Sequence, residues 1–140
     1  MSEPYVNTDI IIRLLTGDDA QKQQAARGLF EAVEAGTITV AAPDTVIADA
    51  VYVLSSPRLY GQSRAQVAAM LGRLVRLPGF KVAQRRIVLQ ALDVYAERNI
   101  DFGDAMLIAS MGQSGSTTLY SYDRDFDGIP GIHRAEPNLA

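Results

Sequence analysis

The stretch from Pro4 to Leu15, "PYVNTDIIIRLL", decides the fold class. It is apolar except at Asn7, Thr8, Asp9 and Arg13. The pattern predicts a short strand ending near Asn7, a tight turn, and a helix starting at Thr8. Thr8 is expected as the N-cap and Gly17 as the stop. A strand feeding directly into a helix is the opening unit of an α/β chain. Asn7 and Asp9 stand at the turn itself. In open parallel sheets, ligands bind outside the carboxyl ends of the strands.

Working outward, the alternation continues. "DDAQKQQAARGLFEAVEAG" reads as a helix with acids at its start and Gly36 at its end. "TITVA" is short and β-branched, as a buried strand should be. Pro43 opens a further helix, "PDTVIADAVYVL", in the first-turn position that proline suits. Ser63 caps "RAQVAAMLGRLVRL", "FKVA" reads as a strand, and two helices follow in "QRRIVLQALDVYAERN" and "DFGDAMLIASMGQ". "TTLYSY" is the last predicted strand, ahead of a polar turn, "DRDFDG", and "IPGIHR". The expected fold is α/β with a mostly parallel sheet.

Composition narrows the chemistry. A chain of 140 residues has the length of one domain, here residues 1–140. It buries roughly two-thirds of its unfolded surface. There is no cysteine, hence no disulfide and no thiolate metal site. A single histidine, His133, argues against a histidine-rich zinc site or a Ser-His-Asp triad. No apolar run reaches about 18 residues and no signal-like N-terminus is evident, so a cytoplasmic protein without membrane attachment is expected.

The net charge of −3 is unevenly distributed. Residues 58–86 contain Arg58, Arg64, Arg73, Arg76, Lys81, Arg85 and Arg86 and no acid. A basic stripe of this kind is an electrostatic footprint for phosphate, or else a solvated helix face.

The acids are the more informative group. Asp101 and Asp104 lie three apart on one helical turn and share a face. Asp101 has an ordinary reading as an N-cap. Asp104 precedes the apolar run "AMLIA", where a carboxylate is costly unless paired, capped or bound to a metal. Asp49 is the only charge in "TVIADAVYVL", either on an exposed face or in a polar cavity. Asp123, Asp125 and Asp127 follow a strand, without the spacing of an EF-hand loop. Carboxylates brought together repel and raise one another's pKa unless a cation neutralises them. Oxygen ligands alone suit Mg²⁺ or Mn²⁺. With a basic segment to hold a backbone, the fitting chemistry is metal-dependent phosphodiester hydrolysis.

On "YVNTDIIIRLLTGDD", "TVIADAVYVLSSPRLYG", "DFGDAMLIAS" and "LYSYDRDFDGIPGI", in this order, the sequence resembles the PIN domains, and among them the VapC-type toxin ribonucleases of toxin–antitoxin pairs. The resemblance implies a PIN-like three-layer α/β/α domain with a small, mostly parallel sheet of four to five strands. It also implies an endoribonuclease that uses Mg²⁺ or Mn²⁺ on RNA, a cognate antitoxin as partner, and a homodimer.

By position, the resemblance makes Asp104 and Asp123 metal ligands and catalytic acids. It makes Asp101, Asp125 and Ser121 supporting residues. Asp49 stands where the family usually carries glutamate. Asn7 occupies the place of the first catalytic aspartate and third ligand, with Asp9 as its support. The chain is therefore expected to be weakened or inactive. A deliberate Asp-to-Asn change would leave this pattern, as would a naturally weakened member. Arg58, Arg64, Arg73, Arg76, Arg85 and Arg86 are the expected RNA contacts. Two other classes compete with the nuclease: a PIN-like module that grips RNA or protein without cutting, and a phosphatase or phospho-acceptor domain. The last fits poorly, because its nucleophile falls on Asn7 or Asp9.

Overall fold

The first strand is hardly more than a single bridge. In the computed structural model, which describes residues 3–138, Val6 N–H donates to the Ala41 carbonyl at 3.0 Å and Ala41 N–H to that of Pro4 at 2.8 Å. This parallel pairing of Tyr5 with Ala41 leads into α1 (Thr8–Leu15). The N-cap of α1 is Asn7 and not Thr8: the Asn7 Oδ1 accepts the Thr8 N–H at 2.8 Å. The Thr8 hydroxyl instead donates across to the Val46 carbonyl at 3.4 Å. The helix ends with Thr16 as its C-cap and Gly17 just beyond, and the Thr16 hydroxyl donates to the Ile12 carbonyl at 2.7 Å.

The remaining elements are α2 (Ala20–Glu34), β1 (Val40–Ala42), α3 (Asp44–Ser55), α4 (Arg64–Val75), β2 (Phe80–Val82), α5 (Arg85–Glu97), α6 (Phe102–Ser114), β3 (Thr118–Tyr120) and β4 (His133–Ala135). Side-chain caps mark several starts. Asp19 accepts from Lys22 N–H, and Ser63 and Gln66 form a reciprocal capping box. Gly115, at φ 75°, ends α6 in the left-handed conformation that glycine adopts freely. The polar turn "DRDFDG" folds as one 3₁₀ turn over Arg124–Gly128. "IPGIHR" contributes an unpredicted strand, β4.

Every strand pairing among the described residues is parallel. β1 pairs with β2, Val40 opposite Phe80 and Ala42 opposite Val82. β3 pairs with β4, Thr118 opposite His133. The expected small sheet is thus present as two parallel pairs plus the bridged Tyr5 segment.

Alternation along the strands builds the main core. Val6, Val40, Ala42, Phe80 and Val82 are buried against the helices, and Phe30 meets Phe80 edge-to-face at 5.5 Å. A second, smaller core gathers Met111, Leu119, Phe126 and Ile129. Ile108 of α6 packs against both. Helix α3 is central, touching α1, α4, α5 and α6. Burial of Val46, Ile47, Ala50, Val51 and Leu54 explains its apolar sequence. Little of that face is left for another subunit, beyond the exposed ring of Tyr52.

Candidate active site

Helix α3 packs against both α1 and α6. The Thr8–Val46 bond fixes the start of α1 to its first turns. Further along, Ala48, Val51, Tyr52 and Ser55 share a concavity of about 320 Å³ with Asp101, Phe102 and Gly103 at the start of α6. Asn7 and the Asp101–Asp104 turn therefore flank one helix.

Asp101 has the local role that its position suggested. It is the N-cap of α6 and its carboxylate accepts the Asp104 N–H at 2.8 Å. One turn on, Asp104 is half-buried. Burial pushes its carboxyl above the ordinary range, and the charges of Asp101, Asp123 and Asp125 push it further in that order. Segments about twenty residues apart in sequence thus converge on Asp104. Around Asp123 a chain of short bonds fixes the geometry: Ser121 Oγ accepts from Asp123 N–H at 3.0 Å, and the Asp123 carboxylate accepts from Asp125 N–H at 2.9 Å. The same Asp123 caps the 3₁₀ turn.

The other predicted residues stand apart. Asp49 lies on α3 one turn beyond Val46, is exposed, and is not among the charges acting on Asp104. Asp9 faces a different concavity, of about 370 Å³ between α1 and α2, with Ile10, Arg13, Lys22 and Leu29. Among the described residues, no three Asp, Glu or His side chains stand close enough to share one metal ion. The acids around Asp104 are therefore within electrostatic reach of one another but not gathered as a ligand set. Asn7 has its side-chain oxygen engaged at the start of α1, where it accepts the Thr8 N–H.

A profile for the PIN domain matches residues 5–132. The chain belongs to the PIN domain family. The fold is accordingly the PIN-like α/β/α arrangement. Two solved structures resemble it over most of both chains. One is the sarcin–ricin loop cleaving toxin VapC20 of Mycobacterium tuberculosis, 23% identical, with 93% of this chain and 98% of that one covered and a TM-score of 0.39. The other is a toxin–antitoxin complex from Klebsiella pneumoniae, 20% identical, with 94% and 96% covered and a TM-score of 0.34. No curated protein matches the sequence.

In this PIN domain the basic stripe divides in two. Arg58, Arg73, Arg76 and Arg86 are exposed and in no salt bridge among the described residues. Arg64 and Arg85 are committed to the fold. The Arg64 guanidinium donates to the carbonyls of Tyr95, Arg98 and Ile100 at 3.1, 2.9 and 2.6 Å. It also lies 4.3 Å over the Tyr95 ring. The Arg85 guanidinium donates to the carbonyls of Leu77 and Phe80. Both guanidiniums are thus anchored on backbone carbonyls, and of the two only Arg85 keeps a buried nitrogen, Nε, without an acceptor.

One residue near the site went unnoticed in the sequence. Arg134 donates to Asp127 and Glu136, both at 2.7 Å, and to the Ser121 carbonyl at 3.0 Å. These partners raise its pKa further above the arginine range. It ties β4 to the turn that carries Asp123. The signal was an arginine, the second of two, among the acids of "DRDFDGIPGIHRAE".

Proposed function

We propose that this PIN domain, acting as one domain over residues 1–140, is an endoribonuclease toxin of a toxin–antitoxin pair, dependent on Mg²⁺ or Mn²⁺, and that Asn7 leaves this chain weakened or inactive. The observation that carries the reading is the half-buried Asp104, its carboxyl raised by burial and by Asp101, Asp123 and Asp125. No basic group compensates these charges on Asp104, which favours a site that receives a cation.

The donor set is oxygen only, as Mg²⁺ and Mn²⁺ prefer, and Asp104, Asp123 and the Asn7 amide oxygen are the residues that would hold such an ion. A divalent ion supplies an activated water and charge neutralisation at phosphorus. The protein's own contribution is placement. Asp101 and Ser121 fix the backbone on which Asp104 and Asp123 stand, and Asp125 adds negative charge beside them. Asp49 serves the α3 side of the site and Asp9 supports the start of α1. Arg58, Arg73, Arg76 and Arg86 hold the RNA backbone. The expected setting is the cytoplasm, with a cognate antitoxin as partner and a homodimer as the unit.

Asn7 also favours a second reading, a PIN-like module that binds RNA or protein without cutting. Asn7→Asp separates the two. An amide cannot act as a base, and a missing group that orients the attacking water costs about 10²-fold or more. Asn7→Asp should tighten Mn²⁺ binding in calorimetry and give metal-dependent cleavage of single-stranded RNA. Asp104→Asn added to it should abolish the cleavage. If Asn7→Asp binds Mn²⁺ no better and cuts nothing, the binding module stands.

A further inference from the structure

The pairings Tyr5–Ala41 and Ala41–Lys81 make one row across three parallel segments: an aromatic ring, a methyl group and an ammonium. Strand alternation sends Val6, Val40, Ala42, Phe80 and Val82 into the core and Tyr5 and Lys81 to the other face, with the buried Ala41 methyl between them. Tyr5 is 71% exposed there, and Lys81 is exposed and in no salt bridge among the described residues. The row floors a concavity of about 530 Å³ that Glu3, Pro43 and Arg85 also line. That volume lies within the usual range for small-molecule sites.

Charge and donors point to the occupant. Lys81 and Arg85 make the lining cationic, and the Arg85 Nε is buried without an acceptor. The first turns of α3 and α5 begin at this rim, and neither receives a side-chain cap. Their N–H groups add to a positive field at the same edge, which the Asp44 carboxylate, bonded to the Gln84 amide between the two helix starts, partly offsets. Glu3, the acid of the lining, is an acceptor for a ribose hydroxyl or a base N–H, which inorganic phosphate lacks. Tyr5 stands two residues before Asn7, about 7 Å along extended chain, and the two side chains share a face. A strand resting on Tyr5 thus continues towards Asn7 and the start of α1.

We propose that this cavity binds one nucleotide of single-stranded RNA, its base stacked on the Tyr5 ring and its phosphate against Lys81 and Arg85. Such sites combine a basic groove with an aromatic platform. The inference rests on the ribonuclease reading and names a substrate subsite for it, away from the acid cluster.

The test uses the full chain with a chelator present, so that nothing is cut, and a short labelled single-stranded RNA followed by fluorescence anisotropy. Tyr5→Ala should weaken binding about 5- to 150-fold, while Tyr5→Phe, which keeps the ring, should bind as the parent does. Lys81→Gln should lower the slope of log affinity against log salt by about 0.7. Uridine or adenosine monophosphate should displace the RNA at concentrations where inorganic phosphate does not. Circular dichroism checks that each variant is folded. If the parent binds RNA and Tyr5→Ala and Lys81→Gln bind it equally well, the subsite is wrong while the ribonuclease reading stands. If inorganic phosphate competes as well as a nucleotide, the cavity is an anion site only and the proposal fails. If Tyr5→Ala changes only self-association, the face is a protein interface and the proposal likewise fails. If the parent binds no RNA and Asn7→Asp cuts none, both readings fall together.

Discussion

Arg64→Ala should destabilise the protein far more than any other neutralisation in the basic stripe. The guanidinium serves the carbonyls of Tyr95, Arg98 and Ile100, reaches Asn99 Oδ1 at 3.4 Å, and covers the Tyr95 ring. The contacts to Tyr95 and Ile100 are partly buried, so water replaces them poorly, whereas the contact to Arg98 is exposed. Hydrogen bonds from a charged donor contribute about 1.5–3 kcal/mol each, and a partly exposed cation–π contact about 0.5–1 kcal/mol. Taking the two partly buried bonds at the low end together with the ring contact gives about 3–4 kcal/mol. For a chain of this length, that is a fall in melting temperature of roughly 10–14 °C. Arg64→Lys keeps the charge and one donor nitrogen, as the single Nη1 that serves the three carbonyls, but loses the second nitrogen facing Asn99 and the planar group over the Tyr95 ring, so a smaller part of the loss should remain. Thermal melts by circular dichroism measure both. Because Ile100 immediately precedes Asp101, amide exchange at Asp101 and Asp104 should also speed up in Arg64→Ala. A fall below about 3 °C, with exchange at those amides unchanged, would refute the assignment of Arg64 to the fold.

The exposed half of the stripe should behave oppositely. Arg73→Gln with Arg76→Gln should leave the melting temperature nearly unchanged and flatten the salt dependence of RNA binding by about 0.7 per lost phosphate contact; a large drop in melting temperature with unaltered binding would make these arginines structural. Asp104 binds a proton more readily folded than unfolded, so its ionisation lowers stability as pH rises from the ordinary aspartate value through its raised one, and the loss persists above. With a chelator present, Asp104→Asn should therefore raise the melting temperature at neutral pH and change little below the carboxylate range; an equal effect at both would rule out like-charge strain. Light scattering at micromolar concentration should report a dimer, and Tyr52→Asp should shift it towards monomer if the exposed ring on α3 takes part; a parent that is already monomeric contradicts the homodimer.

What was legible in the sequence followed local chemistry. "PYVNTDIIIRLL" shows its strand-to-helix switch because extended and helical periods differ within one short segment. Asp101 was readable as a cap because the residue that begins a helix must satisfy free N–H groups. Thr8 was misread for the same reason: Asn7 and Thr8 both cap well, and only the tertiary bond from Thr8 to Val46 decides between them. β4 escaped notice because "IPGIHR" has no strand period and extends only where β3 offers a parallel partner. The split of the basic stripe was equally hidden. Arg64 and Arg73 are alike as letters, and what separates them is a set of carbonyls more than thirty residues away from Arg64.

The arrangement of cations completes the physical picture of the acidic site. Asp101, Asp104, Asp123 and Asp125 repel one another, so a fold that brings them together must restrain the two loops that carry them. Arg64 holds the loop that ends at Ile100, next to Asp101. Arg134 holds the turn beyond Asp123 through Ser121 and Asp127. Neither arginine figures among the charges that act on Asp104. The two guanidiniums thus hold the loops from the side, on backbone carbonyls and outlying acids, and leave the central carboxylates uncompensated. A direct Arg–Asp104 ion pair would relieve the repulsion more simply, but it would also cancel the charge that a cation-binding site needs. Restraint at a distance keeps the loops in place and the charge unquenched, as the nuclease reading requires.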